Sequence, residues 1–176
     1  MSELVNNQLG YWLFYSQRCV AYAFAEVLRG FCVEQDKPYV ITPSQWGTLS
    51  LLYEEGAGVT IGTISQRRGL DPPTVTGIVK RLEQSGLVER LHDSKDRRVV
   101  KVYLTDEATA VLPALLEVVL TYNASLLRNF SQEEQADMLA KLQQLVANVS
   151  TIAPNIGDRF GLLPTDVVFP SPFTEE

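Results

Sequence analysis

Residues 60–105 read TIGTISQRRGLDPPTVTGIVKRLEQSGLVERLHDSKDRRVVKVYLT. Thr60 can cap a short helix that turns Ile61 and Ile64 inward and ends at Gly69. Asp71 can cap a second helix, whose opening residues Pro72 and Pro73 are tolerated because first-turn amides have no intrahelical acceptor. Val75, Ile78, Val79 and Leu82 recur at helical spacing and predict a buried stripe. Ser85-Gly86 breaks this helix, residues 87–92 read as a strand, and residues 99–104 alternate as a second strand packed on one face. A charged tip, residues 93–98, joins the two strands. The pattern is a helix-turn-helix followed by a β-hairpin wing.

On the second helix, the arc opposite the stripe carries Pro73, Thr76, Gly77, Lys80 and Gln84, flanked by Thr74 and Arg81. It holds no large aliphatic side chain, as expected of a surface facing a DNA groove. The 60–105 stretch contains nine Lys/Arg (Arg67, Arg68, Lys80, Arg81, Arg90, Lys95, Arg97, Arg98, Lys101) and five acids (Asp71, Glu83, Glu89, Asp93, Asp96), a balance of +4. The other residues carry six basic and sixteen acidic side chains, or −10, which accounts for the chain's −6. The pI of 4.9 would disfavour nucleic acid if charge were evenly spread. Association answers to the local field at the docking face instead. A charge run such as residues 93–98 is either a solvated loop or, in this position, a contact to phosphates or the minor groove.

Outward from this core, residues 42–45 (TPSQ) form a helix start, with Thr at the N-cap, Pro at the first position and Gln three residues after the cap. That helix carries Trp46, Leu49, Leu52 and Tyr53 and should stop at Glu55-Gly56. Residues 7–33 predict a helix apolar on nearly every face, buried either at the centre of a monomer core or between two subunits. Residues 105–128 form another such helix, with Pro113 at an expected kink. Ser131 and Glu134 frame a capping box before a final helix. The expected class is mainly α with a small β component. Residues 1–41 form a dimerisation helix and connection, 42–105 the winged module, 106–153 two dimerisation helices, and 154–176 a Pro-rich tail apolar enough to dock.

At 176 residues with 45% hydrophobic content the chain can bury a core without staples. The first ten residues lack a basic region ahead of an apolar core, and the apolar run near residues 110–120 is interrupted by Pro113 and Glu117. A cytoplasmic protein with no membrane partner is expected. A single histidine, His92, no Cys/His cluster for metal, no Gly-rich phosphate loop and no nucleophile with a nearby base leave little for an enzyme or a cofactor.

ITPSQW (41–46), LDPPTVTGIVKRLEQSGLVER (70–90) and DRRVVKVYLT (96–105) resemble the MarR family of dimeric bacterial and archaeal transcription regulators. The resemblance covers about residues 7–152. It implies an intertwined homodimer, each recognition helix entering the major groove of one half of a palindromic operator, with half-sites about 34 to 36 Å apart. It also implies a wing whose arginine, here Arg98, reaches the minor groove while Asp96 holds it in place. On this frame Thr74, Thr76 and Lys80 lead the major-groove candidates, with Pro73 and Gly77 shaping the approach. Lys80, Arg81 and Ser65 or Gln66 suit phosphates, and Lys95, Arg97 and Arg98 complete the wing. Gly77 either avoids a clash with DNA or another helix or is simply tolerated.

For signal reception the resemblance implies a small ligand, often phenolic, or cysteine oxidation. Tyr11, Trp12, Tyr15, Tyr39, Trp46 and Tyr53 are candidates for a ligand pocket, and core packing explains aromatics equally well. Cys19 and Cys32 are thirteen residues apart in one helix, roughly 20 Å at about 1.5 Å per residue, and cannot bond to each other there. The peroxide regulators of the family carry their reactive cysteine where this chain has Gly10, so redox sensing of that type is disfavoured, and Cys32 could react only if exposed. A dimeric adaptor that does not bind DNA is the remaining alternative, and the +4 segment counts against it.

Overall fold

The computed structural model describes residues 8–93 and 96–152, without the side chains of residues 150 and 151. The expected docking of the tail, residues 154–176, and the wing residue Lys95 lie outside the described residues. The chain runs α1 (Leu9–Glu34), α2 (Pro43–Glu55), β1 (Val59–Thr60), α3 (Ile61–Arg68), α4 (Pro72–Gln84), β2 (Val88–His92), β3 (Val100–Leu104), α5 (Asp106–Leu126) and α6 (Gln132–Ile152).

The helix boundaries follow from side chains that satisfy orphan backbone groups. Thr42 and Gln45 form a reciprocal capping box, with the Thr42 amide donating to Gln45 Oε1 at 2.9 Å. Gly56 and Gly69 end α2 and α3 in the left-handed region, at φ 61° and 60°. The Thr63 amide donates to Thr60 Oγ1 at 3.1 Å, and the Ser131 amide donates to Glu134 Oε2 at 2.8 Å ahead of α6.

The sheet has the order β1-β3-β2, all antiparallel. β2 and β3 pair from Val88↔Leu104 to His92↔Val100, one residue shorter at each strand start than the alternation predicts. β1 has no signature in the sequence: two residues are too few to alternate, and only the pairing Val59↔Val102 and Thr60↔Lys101 makes them a strand.

Leu28, Leu49, Ile64, Val75, Val79, Leu82, Val102 and Leu115 are wholly buried, and they come from all helices except α6 together with β3. α5 is long and apolar enough to cross a membrane by composition, yet Ala108, Val111, Leu112, Leu115, Val119 and Tyr122 are buried within this fold. α1 behaves differently along its length. Leu28, Phe31 and Cys32 enter the core, whereas every residue from Gln8 to Val20 is exposed. No described side chain of α6 is buried either. The C-terminal end of α1 thus belongs to the core, while its first three turns stay exposed.

Thr105 joins the module to α5. Its hydroxyl accepts from the Ala108 amide at 3.3 Å and donates to the Gly86 carbonyl at 2.7 Å, closing the turn after α4. Thr105→Ala removes a helix cap and leaves that carbonyl short of a donor. It should lower stability by about 1 to 2 kcal/mol in urea denaturation.

Candidate nucleic-acid interface

α4 is held in rotation by Val75, Ile78, Val79 and Leu82, none more than 1% exposed. Pro73, Thr74, Thr76, Lys80, Arg81 and Gln84 are consequently exposed, and Gly77 is half-buried. The Asp71 carboxylate accepts from both the Thr74 amide (2.9 Å) and the Thr74 hydroxyl (2.6 Å). These bonds, the hydroxyl's first, hold Asp71 below the usual carboxylate range. One turn on, the Thr76 hydroxyl donates to the Pro72 carbonyl at 2.8 Å. A Cβ at Gly77 would meet only the Arg81 guanidinium, at 3.7 Å, so among the described residues no other helix excludes a side chain there.

The wing is braced at three levels. Arg90 on β2 donates through Nε (3.1 Å) and Nη2 (2.5 Å) to Glu83 Oε2, tying the strand to the last turn of α4. Lys101 pairs with Asp93 at 2.6 Å, which raises the lysine's pKa. His92 Nδ1 lies 2.8 Å from the Arg97 carbonyl, which can only accept, so the imidazole donates. Asp93 Oδ1 accepts from the Asp96 amide at 3.1 Å, and Asp96 Oδ1 accepts from the Arg98 amide at 2.9 Å. Asp96 thus holds Arg98 through its backbone.

These contacts sort the basic residues. Arg67, Arg90 and Lys101 are paired with Glu55, Glu83 and Asp93. Lys80, Arg81, Arg97 and Arg98 are exposed and form no ion pair among the described residues. Arg68 remains exposed as a residue, but its guanidinium lies against Gly47, where a Cβ would fall 1.9 Å from Nη2. Loss of water there lowers its pKa. Ser65 is buried with a hydroxyl that has no partner among the described residues, and Gln66 is the exposed member of that pair. Nothing in the sequence spacing of Glu83–Arg90 or Asp93–Lys101 marks these braces as partners.

The six aromatic candidates do not form one set. Tyr11, Trp12 and Tyr15 are exposed on α1 with ring centroids 5.6 to 6.1 Å apart. Tyr39 is half-buried and donates to Glu107 Oε1 at 3.1 Å; burial first, then that carboxylate, raises its pKa well above the ordinary value. Trp46 is half-buried against the core and Tyr53 is exposed. An open groove of about 430 Å³ between α1 and α5 is lined instead by Val27, Ala114, Val118, Thr121 and Tyr122, among others. The Tyr122 hydroxyl donates to the Val20 carbonyl at 2.7 Å and its ring stacks on Phe24 at 5.2 Å, so this tyrosine joins the two helices. Cys19 is exposed and Cys32 is 1% exposed, so Cys32 lacks the access that reactivity would need.

Because the space at Gly77 is open within the chain, Gly77→Ala should raise stability by about 1 kcal/mol through helix propensity. If the arc meets DNA closely, the same variant should bind duplex more weakly. Thermal melting and fluorescence anisotropy on one preparation check the two signs together.

Residues 41–100 match the MarR family model, spanning the start of α2 through the wing. The chain is 35% identical over 107 residues to the HTH-type transcriptional regulator YsmB of Bacillus subtilis, covering 61% of this chain and 73% of that protein. It is 35% identical over 107 residues to the HTH-type transcriptional repressor MdtR of the same organism, covering 59% and 68%. Its fold is similar to that of Staphylococcus aureus MepR in a MepR–DNA complex, with a TM-score of 0.65, 24% identity, and coverage of 81% of this chain and 96% of that one. With the winged module and its buried stripe in place, the chain belongs to the MarR family of DNA-binding transcriptional regulators.

Proposed function

We propose that this chain is a homodimeric, cytoplasmic repressor that binds a palindromic operator and is released from it by a small-molecule effector. The observation that carries the reading is the outward arc of α4. It is free of large aliphatic residues, fixed in rotation by a fully buried stripe, and accompanied by four exposed cations without acid partners among the described residues, Lys80, Arg81, Arg97 and Arg98. On this reading α4 enters the major groove, where Pro73, Thr74, Thr76, Gly77 and Lys80 approach base edges. Arg81 meets phosphate, and the wing, with Asp96 positioning Arg98 and with Lys95 and Arg97 beside it, meets the minor groove.

The pairing of two copies is supported by what one copy leaves uncovered. Trp12, Phe14 and Tyr15 on α1 and Leu139, Leu142 and Val146 on α6 are all exposed. A second copy burying both helices would remove that apolar surface from water and set the spacing of the two reading helices. Repression is supported by the relative MdtR, named as a repressor. The effector is a small aromatic or phenolic molecule, and the exposed aromatics of α1 and the groove beside Tyr122 are the features that support a site near the paired helices.

Fluorescence anisotropy with duplex from the protein's own upstream region, repeated across salt, tests the reading. Arg98→Ala should weaken binding by about 1 to 3 kcal/mol, and Lys80→Ala should reduce the slope of log affinity against log salt by about one. Absence of binding at low salt would favour an adaptor over a DNA-binding repressor. A single-chain mass in sedimentation at binding concentrations would remove the dimer.

A further inference from the structure

The threonines of α4 have already committed their hydroxyl hydrogens. Thr76 Oγ1 donates to the Pro72 carbonyl at 2.8 Å, and Thr74 Oγ1 donates to the Asp71 carboxylate at 2.6 Å. A hydroxyl has one hydrogen and two lone pairs. Turning either hydrogen toward a base acceptor would break one bond to make another, and for Thr74 the bond lost is charge-assisted. Accepting a hydrogen from a base adds a bond without removing one.

We infer that Thr74 and Thr76 read DNA as hydrogen-bond acceptors only, so that the bases beneath them present an exocyclic amine, the N6 of adenine or the N4 of cytosine. The inference rests on the reading of α4 as the major-groove helix. Guanine and thymine offer only acceptor atoms at the corresponding major-groove positions and give these side chains no polar partner. Guanine contacts on α4 fall to its base-facing cation, Lys80, which is a donor only. Two neighbouring groups of opposite hydrogen-bond polarity therefore divide the half-site. The division is set by Asp71 and Pro72, residues at the start of the helix that need not touch a base themselves.

Thr76 supplies the cleaner test, because it is exposed and has no part in the Asp71 cap. Duplexes are selected from a random pool by wild-type protein, Thr76→Val, which keeps the shape but cannot accept, and Thr76→Ser, which keeps the hydroxyl. Wild type and Thr76→Ser should enrich the same half-site. Thr76→Val should lose the preference at one position per half-site, and only there. At that position, a base lacking only its exocyclic amine, such as unsubstituted purine in place of adenine, should weaken wild-type binding about fivefold to tenfold, the size of one net hydrogen bond. The same substitution should leave Thr76→Val unaffected.

Selection by Thr76→Val that matches wild type at every position overturns the inference while leaving α4 as the reading helix. So does an amine-deleted duplex that binds wild type as well as its parent. No enrichment by wild type at any salt overturns both readings, and circular dichroism of each variant separates either result from misfolding.

Discussion

The rotation of α4 about its own axis is the constraint on which the rest depends. Four aliphatic side chains, Val75, Ile78, Val79 and Leu82, are removed from water, each worth roughly 1.5 to 3 kcal/mol. A step of one residue turns a helix by about 100° and would expose part of this stripe while burying Lys80 or Arg81. No such register competes with the observed one. The outward arc is thus determined from behind, by hydrophobic burial, and its polar members are free to vary with the sequence they face.

What could be read from the sequence follows from the range of the forces involved. Caps act over three residues, so Thr42 with Gln45, Thr60, Asp71 and Ser131 with Glu134 announce their helices directly. The buried stripe of α4 was equally plain, because helical period and side-chain type coincide. Long-range pairings were not legible. Val59 becomes strand only because Val102 lies opposite, and Arg90 is distinguished from the other cations only because Glu83 stands beside it. The nine cations of the 60–105 stretch look alike in sequence; the fold pairs three of them with acids and leaves Lys80, Arg81, Arg97 and Arg98 outside such pairs among the described residues.

The helices flanking the module obey a different economy. α1 was ambiguous because an apolar helix is compatible with a monomer core or with an interface, and periodicity cannot distinguish them. Its inner end supplies Leu28, Phe31 and Cys32 to the core, and its outer end, from Gln8 to Val20, is exposed. The connection to α2 is fastened separately. Lys37 and Tyr39 both donate to Glu107 Oε1, at 2.8 and 3.1 Å, which holds the loop against the start of α5. Lys37 first and Tyr39 second lower the pKa of Glu107. The loop between α1 and α2 is therefore tied to the first turn of α5 through that one carboxylate.

β1 has a consequence for how the chain reaches its folded state. Its two residues pair with β3, and α3, α4 and β2 all lie between them in the chain. Loop closure across so much chain is unfavourable until the intervening helices have shortened it. The β1–β3 ladder therefore fastens the two ends of the module to each other across the intervening helices. Thr60 belongs to that ladder and also caps α3, so unzipping the strand releases the first turn of the helix with it. Amides in β1 and α3 should then exchange with solvent together, as a single opening event.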